Sequence, residues 1–429
     1  MPDYFQDVID YPIYNEMNKK VYEQIEQNLV PRRKFSPNYW RDKYKRKQFF
    51  DLISYEEPQI KNIVSKKEVS RKKLTLSGHL SQFMTYLKRN ILMKLRNRMN
   101  IFITFAEAPL LAFVIAFILR TSLGAEGYSY HHNANITTYL FVSLIVFIFL
   151  GLSNSIEEIM AERKTIQREK ILNLKLSYFL SSKIIALSLF TLLQVLLYYL
   201  VSIFILQLPS LMFINIVYFF LAGLIGYSLG LLISSFLNNR RAIINILPLI
   251  LIPQIIFGGA IILYEHMNPH ITIRKSSSIP EVVQIIPSRW LFEGLFTAQA
   301  RLNSYEQRMR RLDDKLSRLR TDYREGRIDD REYDRVLREV YQKRGETARQ
   351  YPRERYTNYD IAVAADLMDG KFLNSERNVF LASHKMIGGK VFRTYNINLI
   401  ILFFYAFVLN FITLLKLKFF FRDKQGAMF

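Results

Sequence analysis

The chain has 429 residues, half of them hydrophobic, and 59 Lys+Arg against 37 Asp+Glu give a formal charge of +22. With no cysteine, disulfides, thiolate metal sites and cysteine nucleophiles are excluded, and six histidines without an HExxH spacing give no zinc pattern. The mean hydropathy of +0.05 averages very apolar blocks with very charged ones. Several blocks run near or beyond the roughly 18 residues that mark a candidate span of a ~30 Å hydrocarbon core. The fold class is therefore an all-α integral membrane protein. A nucleotide-hydrolysing or metal-dependent soluble enzyme is not expected. The basic clusters flank the apolar blocks, so they read as cytoplasmic loops and not as a nucleic-acid surface.

Residues 1–73 read as a cytoplasmic arm or linker. Residues 1–98 carry 21 Lys/Arg against 11 Asp/Glu. Pro31, Pro37 and Pro58 break the arm into short pieces, and basic knots at Arg41–Lys47 and Arg71–Lys73 act as inner flanks. No apolar signal-peptide core precedes the first span, which is expected to direct insertion itself. Residues 74–98 are amphipathic: Leu80, Phe83, Met84, Leu87, Ile91, Leu92 and Leu95 recur at helical spacing opposite Lys88, Arg89, Lys94, Arg96 and Arg98. This pattern predicts a helix lying in the membrane interface.

Six spans are predicted, at about 100–120, 137–156, 178–207, 211–236, 242–264 and 394–416. Basic loops after spans two, four and six, and Lys/Arg-free connections after one and three, put both termini in the cytoplasm. The sequon Asn135-Ile136-Thr137 then falls outside. The connection of roughly 130 residues before span six is too long for its charge to decide its side. Within it Leu302, Tyr305, Met309, Leu312, Leu316, Leu319 and Tyr323 step by three and four, a coiled-coil seam. Gly326 offers a turn and Asp329 or Asp330 a cap, so 300–350 reads as an antiparallel helical hairpin on the outer face. Residues 282–298 are apolar but too short to cross, which fits a re-entrant piece with Trp290 at headgroup level.

Several side chains stand out. Glu107 sits inside span one, two residues before Pro109, and an ionisable residue there is a functional candidate; a hydrogen-bonding relay is one role for it. Asn154 is a second polar residue, near the inner end of span two. Glu157, Glu158, Glu162, Arg163, Arg168, Glu169 and Lys170 follow span two and suit a short helix across the inner mouth, offering charges to a partner protein. Gly226 and Gly230 form GxxxG in span four, a packing or dimer face. Pro248, Pro253, Gly258 and Gly259 interrupt span five, which is tolerated only where backbone is buried in protein or lines a cavity. No GxxxxGK[ST] phosphate cradle exists; LSGH at 76–79 and Gly388-Gly389-Lys390 are chance likenesses.

These pieces together resemble the permease half of an ABC-2-type exporter of G-subfamily architecture. Gln82, Arg89 and Arg96 match the pattern of that family's connecting helix. Glu162, Arg168, Glu169, Ser177, Tyr178, Phe179 and Lys183 match its coupling segment and the start of span three. IPQIIFGGAI matches the end of span five, and Pro287, Arg289, Trp290 and Glu293 match a Pro-x-Arg-Trp-x-x-Glu pattern in the outer loop. The resemblance covers about 74–298 and 394–420. The hairpin and the cysteine-free outer loop depart from eukaryotic relatives and point to a bacterial member.

The resemblance implies these parts: an arm at 1–73; a connecting helix at 74–98; spans one to five with a re-entrant segment at 99–298; a hairpin insertion at 299–357; further outer loop at 358–393; and the sixth span with a cytoplasmic tail at 394–429. It also implies residence in a bacterial inner membrane and pairing with a second, identical or different, permease unit. An ATPase, as a separate subunit or fused in a longer protein, would carry the ATP and Mg. Membrane lipids are partners by the same token, and the hairpin offers itself to an extracytoplasmic partner. Aromatic-rich spans suit a lipid or amphipathic cargo. Two other classes compete. A non-transporting scaffold that displays the hairpin has no need of a broken fifth span. A secondary transporter would show inverted repeats and more intramembrane charge.

Overall fold

A computed structural model describes residues 13–17, 19, 21–25, 28–31, 34, 38–39 and 42, then 76–121, 128, 130, 133, 135–171, 175–208, 211–237, 239–262, 264–271, 279–350, 380–382, 384–387 and 390–426. The chain divides into two units, Met1–Thr75 and Leu76–Phe429. In the first, β1 (Tyr22–Ile25) and β2 (Asn28–Pro31) form an antiparallel hairpin with Tyr22 opposite Pro31 and Ile25 opposite Asn28. Reading the arm as short Pro-broken pieces gave no strand. Residues 43–75, with most of both basic knots, lie outside the described residues.

The second unit is helical. α1 (Leu76–Arg96) is the amphipathic helix, and the LSGH likeness falls in its first turns. α2 (Arg98–Leu119), α3 (Ile136–Ser155), α5 (Leu176–Leu206), α6 (Met212–Phe236) and α11 (Thr394–Gly426) are the five described helices long and apolar enough to cross a membrane. Each meets the ~20-residue requirement, and a helix satisfies its own backbone in hydrocarbon. Between α3 and α5 lies the short polar α4 (Glu158–Ile171).

The fifth predicted span differs. α7 (Arg240–Ile256) has 17 residues, short of a full crossing. Pro248 and Pro253 lie inside it and do not break it. The chain leaves the helix just after Ile256, at Gly258 and Gly259. Gly259 has φ +82, a left-handed conformation that favours glycine, and a Cβ there would strike Phe380 and Tyr264. The segment then turns back through a short 3₁₀ helix (Glu281–Ile285) into α8 (Pro287–Leu302), whose Pro287 sits in the first turn.

The hairpin is α9 (Ser304–Arg324) and α10 (Asp330–Gln350). Asn303 caps α9 by accepting the Glu306 N–H at 2.8 Å, and Asp329, not Asp330, caps α10 by accepting that of Glu332 at 2.8 Å. Gly326 makes the turn at φ +70. Leu316, Leu319 and Val340 form its small core, and Arg344–Asp313 and Lys315–Glu339 pair the helices in antiparallel order. Strands β3 (His384–Ile387) and β4 (Lys390–Arg393) form an antiparallel pair leading into α11. Residues 351–379 and the Gly388-Gly389 pair lie outside the described residues.

α3 and α6 are the centre: 61% of each apolar window is buried, against 17% for α2 and 22% for α11. The two central helices touch along Gly151, Gly223, Gly226 and Gly230, where an added Cβ would meet backbone or side-chain atoms of the facing helix or of neighbouring α5. Small residues let backbones approach this closely. The GxxxG is therefore used within the chain, the packing alternative of the two that its sequence offers. Ala108, Ala112 and Ala116 give α2 a buried stripe, while Phe102, Leu110, Phe113 and Phe117 stay exposed. Such faces are unfavourable in water and at home in lipid. Ser143–Tyr198 at 2.7 Å, Ser188–Tyr227 at 2.6 Å and Asn410–Ser228 at 2.9 Å tie the helices with polar links.

Candidate coupling corner and the family it belongs to

At the end of the bundle where α3 stops, α4 packs across α6 and reaches α1 and α5 through ion pairs. Its sequence is charged on nearly every face, and the structure shows where those charges go. Lys183 of α5, almost fully buried, reaches Glu158 at 2.6 Å and Glu162 at 2.5 Å. Arg89 of α1 reaches Glu162 at 3.0 Å and Glu169 at 2.5 Å, and Lys94 of α1 reaches Glu158 at 2.6 Å. Three cations thus meet three carboxylates, and a buried charge so paired avoids the cost of lone burial. Arg89 also stacks on Tyr86, and Asn90 donates to the Ser182 hydroxyl at 2.9 Å. Burial, with Glu169 adding to it, pushes the Tyr86 phenol above its usual range.

A second set of bonds joins α4 to α6. The Ser234 hydroxyl accepts the backbone N–H groups of Ile159 and Met160, both at 3.0 Å. Those are orphan donors of α4's first turn. In return Arg163 donates to the carbonyls of Ser234, Ser235 and Leu237 at the end of α6, at 3.0 to 3.3 Å. A cation there also suits the negative end of the helix.

The expectation that this segment offers its charges outward needs correction in part. Glu158, Glu162, Arg163 and Glu169 are turned inward by their partners. Lys164 and Arg168 are exposed, Glu157 is half-buried, and the Lys170 side chain lies outside the described residues. In α1, Arg89 joins the corner; Gln82 and the exposed Arg96 form none of these pairs. Sequence reasoning missed Lys94 and Ser234. Lys94 stood only in a count of polar-face residues, and a lone serine 75 positions from its partner leaves no local signal.

Beside the corner a cavity of about 460 Å³ opens, lined among others by Lys94, Glu107, Asn154, Glu157 and Lys183. Glu107 is half-buried and makes no hydrogen bond or ion pair among the described residues. Asn154 donates to Gln194 at 3.4 Å, and Gln194 in turn donates to the Thr104 carbonyl at 2.8 Å.

At the opposite end, α8 carries the Pro-x-Arg-Trp-x-x-Glu residues. Glu293 is fully buried and takes Lys385 at 2.5 Å, Asn398 at 3.0 Å and the Leu381 N–H at 3.2 Å, with Arg289 at 3.5 Å. Arg289 donates to Gln284 at 2.7 Å and lies 3.9 Å from the Trp290 ring centre. Burial acts to raise the Glu293 carboxyl, but Lys385 and Arg289 outweigh it and hold it below its usual range. Trp290 donates to the Gln284 carbonyl at 2.9 Å, and its half-buried ring lies under the Arg289 and Lys385 cations. Ser288 ties α8 to Gln254 of α7 at 2.7 and 3.1 Å, just before the Gly258-Gly259 break. These bonds make α8 a latch joining α7, β3 and α11.

No curated protein matches the chain. The family model described as ABC-2 type transporter matches residues 81–299, just over half of the chain, from α1 through α8. The chain therefore belongs to the ABC-2 type transporter family, and is a multi-pass membrane permease component of an ABC transport system.

Proposed function

We propose that this permease is the membrane half of an ATP-driven exporter, and that α4 is the element on which a partner ATPase acts. The observation that carries this is the ion-paired corner: α4 is fastened to α1 by Arg89 and Lys94, to α5 by Lys183 and to α6 by Ser234 and Arg163. A force on α4 is then carried into the connecting helix, into α5 and α6, and into α3, which runs directly into α4. A scaffold that only displays a hairpin has no need of such a junction.

In this reading two permease units, identical or different, face each other with α3 and α7 along the pathway. The shortened, Gly-terminated α7 supports that placement, because non-helical backbone at membrane depth needs protein or a cavity around it. ATP and Mg belong to the partner or to a fused domain. Both termini lie in the cytoplasm and the hairpin outside, in a bacterial inner membrane. The cargo is a lipid or another amphipathic molecule leaving the cytoplasm or the inner leaflet.

The test is to purify the protein after expression with its genomic neighbours. A stoichiometric ATPase with Walker motifs is expected, and reversing the exposed Lys164 and Arg168 should release it. If none co-purifies, and none is encoded in fusion or nearby, the exporter reading falls.

A further inference from the structure

We infer that the cavity beside α4 is a binding site for an amphipathic organic cation, an ammonium group on an apolar body. Its volume of about 460 Å³ lies within the roughly 300–1,000 Å³ of small-molecule sites. Four glutamates, Glu107, Glu157, Glu158 and Glu162, line it against two lysines, Lys94 and Lys183. Both lysines are spent on Glu158 and Glu162 at 2.5 to 2.6 Å.

Two acceptors on the wall have nothing to accept. Glu107 sits in the apolar α2 with no hydrogen bond or ion pair among the described residues. Asn90 is 3% exposed; its Nδ2 serves Ser182, while its Oδ1 is buried with no partner. A buried acceptor costs free energy until a donor reaches it. A ligand carrying N–H donors and a positive charge meets both needs.

The rest of the lining says what else the ligand must be. No group of three His, Cys, Asp or Glu among the described residues stands close enough to hold a metal ion, so a bare divalent cation does not fit. Met93, Ile103 and Leu187 make an apolar wall. A narrow recess of about 20 Å³ adjoins it, sharing Lys94, Thr104, Asn154 and Leu187 and bounded by Phe105 and Phe190, whose ring centres are 5.8 Å apart. The Lys94 ammonium already lies 5.9 Å over the Phe190 ring, so this recess offers apolar surface to the body of the ligand and not to its charge. As a statement about cargo the inference rests on the exporter reading; as a statement about binding it does not.

The experiment is equilibrium dialysis of radiolabelled 4-phenylbutylamine against the full chain in zwitterionic nanodiscs, with empty nanodiscs subtracted. Saturable binding of about one amine per chain is expected. Neutral 4-phenylbutanol and anionic 4-phenylbutyrate should not displace it. Glu107→Gln should weaken it about tenfold, the size expected for one lost charge-assisted bond. Glu332→Gln on the hairpin should leave it unchanged. Asn90→Asp keeps the volume and adds a negative charge, so it should bind the amine more tightly, an outcome that misfolding does not produce. No saturable binding, equal displacement by the anion, an unaffected Glu107→Gln, or weaker binding in Asn90→Asp would each overturn the inference. The assay contains no ATPase, so its failure leaves the exporter reading standing, and an exporter without an ATPase still leaves this result to be found.

Discussion

Arg163 and Ser234 cap each other's helices: the serine hydroxyl accepts the first N–H groups of α4, and the arginine donates to the last carbonyls of α6. Each side chain satisfies backbone groups that a helix end leaves orphaned. The two ends are thereby joined by polar bonds that add to the apolar packing of Ile159 with Tyr227 and Leu231 and of Met160 with Ile233 and Leu237.

Ser234→Ala should cost about 1 kcal/mol, the usual scale of a lost cap. Arg163→Ala should cost about 1–3 kcal/mol, as hydrogen bonds from a charged group do. The two losses should not add. A double-mutant cycle on thermal unfolding in detergent is expected to give a coupling energy of about 0.5–3 kcal/mol. Additive losses would mean that the two caps act independently.

Lys183 is almost fully buried between Glu158 and Glu162. Lys183→Ala leaves two carboxylates close together and one cation short, with an expected cost of about 3–5 kcal/mol. Lys183→Met should lose a similar amount, which separates charge from volume. Lys164→Glu with Arg168→Glu should leave the melting temperature nearly unchanged, because both side chains are exposed. Comparing ATPase capture with melting temperature across these variants separates docking from folding: the exposed pair should lose capture alone, the buried lysine both.

Gly226 faces the Ile148 carbonyl with no room for a side chain. Gly226→Ala should destabilise the α3–α6 contact by about 1–3 kcal/mol through overpacking. Gly345, in the middle of α10, has open space around it. Gly345→Ala should stabilise the hairpin by about 0.8–1 kcal/mol through helix propensity. Gly326→Ala should do the reverse, since φ is +70 there. Opposite signs from one substitution at three glycines are readable in thermal melts.

Glu293 is held ionised by Lys385 and Arg289 against the effect of its burial. A carboxylate with a lowered pKa stabilises the fold above its unfolded value, here the ordinary 4.5, and that stability is lost as pH falls through the folded value. Glu293→Gln should therefore melt well below the native protein at pH 7, and the gap should narrow only as the pH falls below about 4.5. A gap that stays constant down to strongly acid pH would assign the loss to shape and not to charge.

The apolar runs settled most of the architecture. Membrane helices must satisfy their own backbone and meet a fixed thickness, so length and composition alone located α2, α3, α5, α6 and α11 to within a few residues, except that α11 runs about ten residues past its predicted end. The three-four stepping of Leu312, Leu316 and Leu319, with Gly326 and Asp329, likewise located the hairpin, because capping and turn chemistry are local. Tertiary structure decided the rest. It ended α7 at Ile256, where the left-handed Gly259 accommodates Phe380 and Tyr264, residues that no local pattern links to it. It turned the α4 glutamates inward, because their cations come from α1 and α5, up to 80 positions away. It spent the Gly226–Gly230 face on α3 and left Glu107 at a cavity wall. Periodicity reports which side of a helix is apolar; which partner meets the polar side depends on where distant helices come to rest.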